Sequence, residues 1–269
     1  MNKDDVSTFK KAWDAIPEPP LTPKFLDFNK NITHLKLAKG DVPFDYIHND
    51  VNKTFSLDYI FDMGTDNNRE LGLAIGYLQY LGTDKYSADD LKKEFYNLGL
   101  SFDVNTGRNR VYVSLSGLEE NLEKGLQLFE HILLHVKPDK EVYKEMVGDI
   151  LQKRENAKKS KGTILFGGLM NYAKYGKLNP FNNVMSEDEL NKVDIDKLVE
   201  LIKSLSSYKH KIFYYGSIDA PTALATINKL HPVNNSLKDY PAPVKYPELP
   251  LNETKVYVSY YPMKQAEIV

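Results

Sequence analysis

The segment Thr54 to Met63 sets Phe55, Leu57, Tyr59 and Phe61 on one side of the chain, alternating with Ser56, Asp58 and Ile60. A second run, Arg110 to Ser116, sets Val111, Val113 and Leu115 against Tyr112, Ser114 and Ser116. A period of two over this length is the signature of a half-buried strand, whose apolar side must be covered by another layer. That layer is written between the two runs. Leu71, Ala74, Ile75, Leu78 and Leu81 recur at helical spacing over Arg69–Leu81, where Gly82-Thr83 stops the pattern. Ser87 then caps a second helix that runs to Leu98, with Gly99 as its C-terminal stop.

The remaining chain extends the same grammar. Thr33–Ala38 and Phe44–His48 read as strands before the first run, and Ser101–Thr106 forms a hairpin with Arg110–Ser116 around Gly107. Leu118, Leu122, Leu126, Phe129, Leu133 and Val136 make one helical face, and Pro138-Asp139 restarts a helix that continues to about Lys159. Gly162–Tyr175 is expected as a further helix, Ser186-x-x-Glu189 is a capping box, and Ile195–Leu205 is helical again. Lys211–Tyr215 follows as a strand and Pro221–Leu230 as a helix with proline in its first turn. The order predicts an α+β fold, a mixed or antiparallel sheet of about six strands with helices layered mainly on one face.

Four regions are expected. Residues 1–32 hold a short helix over 3–14 and a proline-rich lead-in, and 33–231 hold the α+β domain. Residues 232–253 carry Pro232, Pro241, Pro243, Pro247 and Pro250 and read as a semi-rigid linker. Residues 254–269 contain a strand, Lys255–Tyr261, expected to open a following domain that is cut short and to lack sheet partners.

Composition removes several function classes. The chain has no cysteine, which excludes disulfides, thiolate metal sites and a cysteine nucleophile. Its net charge of −2 and sequence pI of about 6.3 do not suggest a nucleic-acid or membrane-surface binder. No apolar run approaches membrane-spanning length, and Met1–Lys11 has no signal-peptide core, so the compartment stays open between periplasm and cytoplasm. The basic run Lys153, Arg154, Lys158, Lys159 and Lys161 reads as a solvated helix end.

The stretch from Gly64 to Gly117, GTDNNRELGLAIGYLQYLGTDKYSADDLKKEFYNLGLSFDVNTGRNRVYVSLSG, resembles the first block of the pitrilysin/insulinase zinc peptidases. Leu81-Gly82-Thr83 is similar to the turn that follows their motif helix. Leu98-Gly99 is similar to the next stop, and Phe102-Asp103-Val104 with Val111-Tyr112-Val113 to the strand pair. Downstream, Leu128–Met146 resembles the family's helix-Pro-helix passage. The resemblance implies a duplicated clamshell in which paired α/β domains enclose a peptide and one half carries zinc. Against it stands a departure. Counting back from Leu81-Gly82-Thr83, the His-x-x-Glu-His positions are held by Leu73, Gly76 and Tyr77, none able to bind zinc as needed or act as general base. No histidine lies between His48 and His131, so a small shift of register changes nothing. Asp149 falls near the place of the family's third ligand, a glutamate, but one carboxylate is not a hydrolytic zinc site.

The resemblance thus implies a chain with no catalytic residues and no metal of its own. It would be a non-catalytic domain of a bacterial zinc endopeptidase, with zinc in the parent's active half and peptide and the parent's other domains as partners. The rivals are an inactive subunit that pairs with a separate active peptidase subunit, an unrelated α+β binding module, and a hydrolase with a different site. Other constellations are weaker. His131 and His135 are spaced i,i+4, but the context His-Ile-Leu-Leu-His lacks the glutamate, and both are expected to be exposed off the apolar face, an adventitious metal contact at most. Gly167-Gly168 lacks the Lys-Ser/Thr of a phosphate loop and is read as a close helix contact or kink. Alternation in Tyr214-Tyr215 and Tyr260-Tyr261 would bury one ring of each pair and expose the other.

Overall fold

Two extended runs with one apolar side each, Thr54–Phe61 and Val111–Leu118, pair antiparallel along their whole length as neighbouring inner strands of a six-stranded sheet. The structure, a computed structural model, describes residues 6–18, 22–23, 25–262 and 267. By its internal contacts the chain divides into 1–32 and 33–269. The first unit holds α1 (Thr8–Asp14), capped by the Ser7 hydroxyl, and α2 (Phe28–Asn31), capped by Asp27. Part of the expected helix over 3–14, and Pro19 and Pro20 of the lead-in, lie outside the described residues.

The second unit runs β1 (Thr33–Lys36), β2 (Pro43–His48), β3 (Thr54–Phe61), α3 (Arg69–Leu78), α4 (Ala88–Asn97), β4 (Leu100–Thr106), β5 (Val111–Leu118), α5 (Leu122–His135) and α6 (Lys140–Ala157). It continues through a π-helical segment (Thr163–Leu169), α7 (Met170–Tyr175), α8 (Glu187–Asn191), α9 (Ile195–Lys203), β6 (Lys211–Gly216) and α10 (Ala220–Leu230). Strand order is β1-β2-β6-β3-β5-β4. Only β2 and β6 are parallel; the other neighbours are antiparallel, so the sheet is mixed. The fold class is α+β, as the element order predicts.

Burial follows the alternation. Phe44, Leu57, Tyr59, Phe61, Val113, Leu115, Ile212 and Tyr214 are buried, while Asp45, Asp58, Ile60, Tyr112, Ser114, Phe213 and Tyr215 on the opposite side keep partial exposure. Of the paired tyrosines, Tyr214 is buried and Tyr215 half-buried, and Tyr260 is exposed where Tyr261 is half-buried. Removing each large apolar side chain from water contributes roughly 1.5–3 kcal/mol, which makes this single face the main source of stability.

Helix ends fall where the caps place them. Asn68, Ser87, Asp139, Asp194 and Asp219 each accept a backbone N–H of the first turn, and Ser186 and Glu189 form the expected reciprocal box. Gly99 ends α4's turn at φ 62°, a left-handed conformation that only glycine adopts without cost. After β5, the turn at Glu119 is anchored by a buried carboxylate. Glu119 accepts hydrogen bonds from the Tyr214 hydroxyl (3.0 Å), the Ile218 N–H (2.7 Å) and the Ser217 hydroxyl. Burial alone would raise its pKa, but these donors outweigh burial and hold it below the usual carboxylate range.

Three readings change. Gly162–Tyr175 is not one regular helix: Thr163–Leu169 is π-helical before α7 begins. A β-carbon at Gly167 would lie 2.5 Å from the Phe181 ring, so that ring rests on bare backbone. The Asn171 side-chain amide donates to the Gly167 carbonyl at 2.7 Å, supplying a bond within the loosened turn. Lys255–Tyr261 forms no strand among the described residues; Val256, Val258 and Tyr260 stay exposed, because a ladder needs a neighbouring edge and none pairs with this segment. The basic run is not wholly solvated either, since Arg154 donates to the Met185 carbonyl at 2.7 Å. The proline-rich segment before Lys255 has no regular structure, but it is strapped down. Tyr240 accepts the Asp62 N–H (3.1 Å), Val244 donates to Asp66 (2.7 Å) and Leu249 to Lys174 (2.8 Å).

Candidate functional site

Helix α3 is the place to look for hydrolytic chemistry, and its composition there is apolar. Asn68 starts the helix by accepting from Glu70 N–H, and Leu71, Leu73, Ala74, Ile75, Tyr77 and Leu78 are buried. Leu73 is part of the core. Gly76 is half-buried, and a β-carbon there would meet nothing within 4 Å, so the position has room but no functional group. Tyr77 is fully buried and its hydroxyl is committed twice: it accepts from the Asp139 N–H at 2.6 Å and donates to the Asp139 carbonyl. Its ring meets Tyr143 edge-on at 5.6 Å, and the Tyr143 hydroxyl donates to the Leu190 carbonyl at 2.8 Å. Burial raises the Tyr77 pKa, and burial with the charge of Glu70 raises that of Tyr143 to about 12, so both phenols stay neutral near pH 7. Asp149 is exposed on α6. It lies six residues beyond Tyr143, about 120° round the helix from the face that meets Tyr77. Leu73, Gly76 and Tyr77 therefore offer no nitrogen donors and no base, and the residues present do not fit a hydrolytic zinc ion.

A second cluster stands at the end of α5. His131 and His135 stack at 4.7 Å between ring centroids, 24° apart in plane. The turn after α3 folds over them. Thr83 bridges to Val136, Lys137 N–H donates to Gly82 (3.0 Å), and Asp84 N–H donates to the His135 carbonyl (3.3 Å). This brings Asp84 Oδ1 to 3.2 Å from His131 Nε2 and Asp84 Oδ2 to 3.8 Å from His135 Nδ1. The expectation that both histidines are exposed is corrected: the His131 side chain is only 14% exposed, against 50% for His135, because the turn and the Tyr86 ring cover it. Burial lowers the His131 pKa, with His135 and Lys85 acting in the same direction and Asp84 opposing, which favours the neutral imidazole.

The third cluster is in the core. Glu130 Oε1 accepts from the Tyr59 hydroxyl (2.6 Å) and lies 2.7 Å from His231 Nδ1; His231 Nε2 lies 2.9 Å from His210 Nε2, and His210 Nδ1 lies 2.8 Å from the Tyr208 carbonyl. Partners assign the protons. The Tyr208 carbonyl can only accept, so His210 carries its proton on Nδ1, and a neutral His210 needs His231 to donate from Nε2. The other ring nitrogen, His231 Nδ1, faces the Glu130 carboxyl group. All four side chains are buried, and the chain of bonds joins β3, α5, β6 and the end of α10. The network ties together elements far apart in the sequence within the core. Its one legible signal was a carboxylate, Glu130, within the otherwise apolar face of α5; nothing in the spacing linked it to His210 or His231. Asp84 likewise had no signal, being 47 residues before His131.

Comparison with known proteins agrees with the fold. Residues 65–188 match the family model for insulinase (peptidase family M16). No curated protein sequence gives a significant match. Among solved structures, the chain is similar to the peptidase M16 inactive domain from Pseudomonas fluorescens, with TM-score 0.66 and 17% identity over 80% of this chain and 54% of that one. It is similar to the periplasmic protease PqqL from Escherichia coli, with TM-score 0.68 and 14% identity over 89% of this chain and 29% of that one. It is also similar to the ferredoxin protease FusC, solved in complex with Arabidopsis ferredoxin, with TM-score 0.67 and 15% identity over 87% and 27%. The chain thus spans between 27% and 54% of the length of these structures. Its mixed sheet and its helix pair after β3 agree in fold with these M16 peptidase structures, and within that fold the segment from Thr65 to Asp188 is the part that matches the insulinase (peptidase family M16) model.

Proposed function

We propose that this chain is a non-catalytic domain of a bacterial zinc endopeptidase and forms the chamber wall opposite the zinc-bearing half. The observation that carries the reading is α3, where a family fold presents Leu73, Gly76 and a Tyr77 hydroxyl already bonded to Asp139. In this reading zinc belongs to the parent's other half, and α3 holds none. The length of the similar structures, one of them named as an inactive domain and two as proteases, supports a chain that works beside further domains.

The surface for peptide is the sheet side opposite the buried face. Cross-strand rows there read Asp45–Phe213–Asp58–Ser114–Asp103 and Ile47–Tyr215–Ser56–Ser116–Ser101, with Phe213 and Tyr215 half-buried in the centre. Aromatic faces flanked by carboxylates suit a peptide carrying apolar and basic side chains. The test uses the full-length parent and an internally quenched peptide. Replacing Phe213 and Tyr215 together by alanine is expected to raise KM about tenfold with kcat little changed, the pattern of lost ground-state binding. Chelator-sensitive cleavage by the present chain alone, or an unchanged KM, would overturn the reading.

A further inference from the structure

Two imidazoles and a carboxylate converge at the turn between α3 and α4, at a place the family's zinc does not use. We propose that Asp84, His131 and His135 form a site for a borderline divalent cation of the zinc class. One ligand atom from each lies within 4.8 Å of the others. Metal–ligand bonds of about 2.0–2.2 Å place the ligand atoms of a tetrahedral site about 3–3.5 Å apart. Closing the difference needs small rotations of Asp84 and His135, whose side chains are 41% and 50% exposed.

The frame is already built. His131 and His135 are one helical turn apart and face the same way, and two backbone hydrogen bonds, which together make the Thr83–Val136 bridge, hold the Asp84 turn against the end of α5. Thr83 Oγ1 accepts from the N–H groups of Lys85 (3.3 Å) and Tyr86 (3.1 Å), which leaves its own proton to point at His131 Nε2 (3.0 Å). His131 Nε2 also lies 3.2 Å from Asp84 Oδ1, so a bound ion would take the Nε2 lone pair in place of the Thr83 proton, and the Thr83 hydroxyl can rotate away. Imidazole and carboxylate without thiolate select zinc, cobalt, nickel or copper over magnesium or calcium. Three protein ligands leave one position open to water or to a donor from another molecule. The bound ion ties the end of α5 to the entry of α4, and the ammonium of Lys85 limits its affinity.

The test is titration of the whole chain with zinc by calorimetry, and with cobalt by visible absorption, near neutral pH. One ion per chain is expected, with Asp84→Asn and His135→Ala each weakening binding about tenfold or more and His48→Ala leaving it unchanged. Zinc is also expected to raise Tm in the wild type and not in Asp84→Asn, which is a surface change that leaves the core intact. Absence of stoichiometric binding, or equal affinity in wild type and both ligand variants, overturns the site. Neither result bears on whether α3 can hydrolyse peptides, so this proposal and the chamber-wall reading fail separately.

Discussion

Acid should weaken this fold through one histidine in its core. His210 is 3% exposed, with Nδ1 against the Tyr208 carbonyl and Nε2 against His231. Burial, reinforced by the neighbouring His231 and opposed by the Tyr208 carbonyl, lowers its pKa to about 4 from an ordinary 6.5. The unfolded chain takes up the proton below pH 6.5, while the folded chain refuses it until about pH 4. Stability from this group is therefore complete above pH 6.5 and is lost as pH falls through the window from 6.5 to about 4. At about 1.4 kcal/mol for each pH unit of displacement, the loss is about 3 kcal/mol. Carboxylates also titrate in that range, so the measurement is a difference. Urea unfolding of the wild type and of His210→Phe, followed by circular dichroism from pH 7 to pH 4, separates the two contributions. The variant starts lower at pH 7, because the Tyr208 carbonyl and His231 each lose a buried partner at about 1–3 kcal/mol. The gap between the proteins should then shrink by about 3 kcal/mol as the medium is acidified. A gap that stays constant from pH 7 to pH 4 would refute the argument that His210 is held neutral.

Two further substitutions test how the other buried groups are used. Tyr77→Phe removes the hydroxyl that serves both backbone groups of Asp139, and unfolding free energy should fall by about 1–3 kcal/mol; a change within experimental error would mean that water takes over those bonds. Glu119→Ala strands the donors of Tyr214, Ser217 and Ile218 and should cost about 3 kcal/mol or more, with Glu119→Gln milder, which chemical denaturation at neutral pH can read; equal losses for the two variants would contradict the hydrogen-bond account.

Much of the architecture was legible because it is local. Alternation at Phe55–Phe61 and Val111–Ser116, the stripe of α3, and the caps Ser87, Asp139 and Ser186 each act within a few residues, and each element begins or ends within a few residues of where they place it. Where a neighbour distant in the chain decides, the reading failed. Phe181 lies against Gly167 and accompanies a π-helical turn where a plain helix was expected. Lys255–Tyr261 has strand-like alternation, but pairing is a property of two segments, and no second segment pairs with it among the described residues.

The candidate sites divide in the same way. That α3 lacks the means to hold zinc is written in Leu73, Gly76 and Tyr77 themselves, since no folding can supply imidazole to a segment without histidine. What those positions do instead, above all the Tyr77 hydroxyl closing on Asp139, appears only once α6 is laid beside α3. The sequence alone likewise shows that His131 and His135 share a helix face, whereas the carboxylate between them arrives from a turn 47 residues earlier. Helical and strand periodicities come from backbone geometry and survive in the sequence; the meeting of Asp84 with His131, or of Glu130 with His231, comes from the packing of a shared core, which no short stretch of residues encodes.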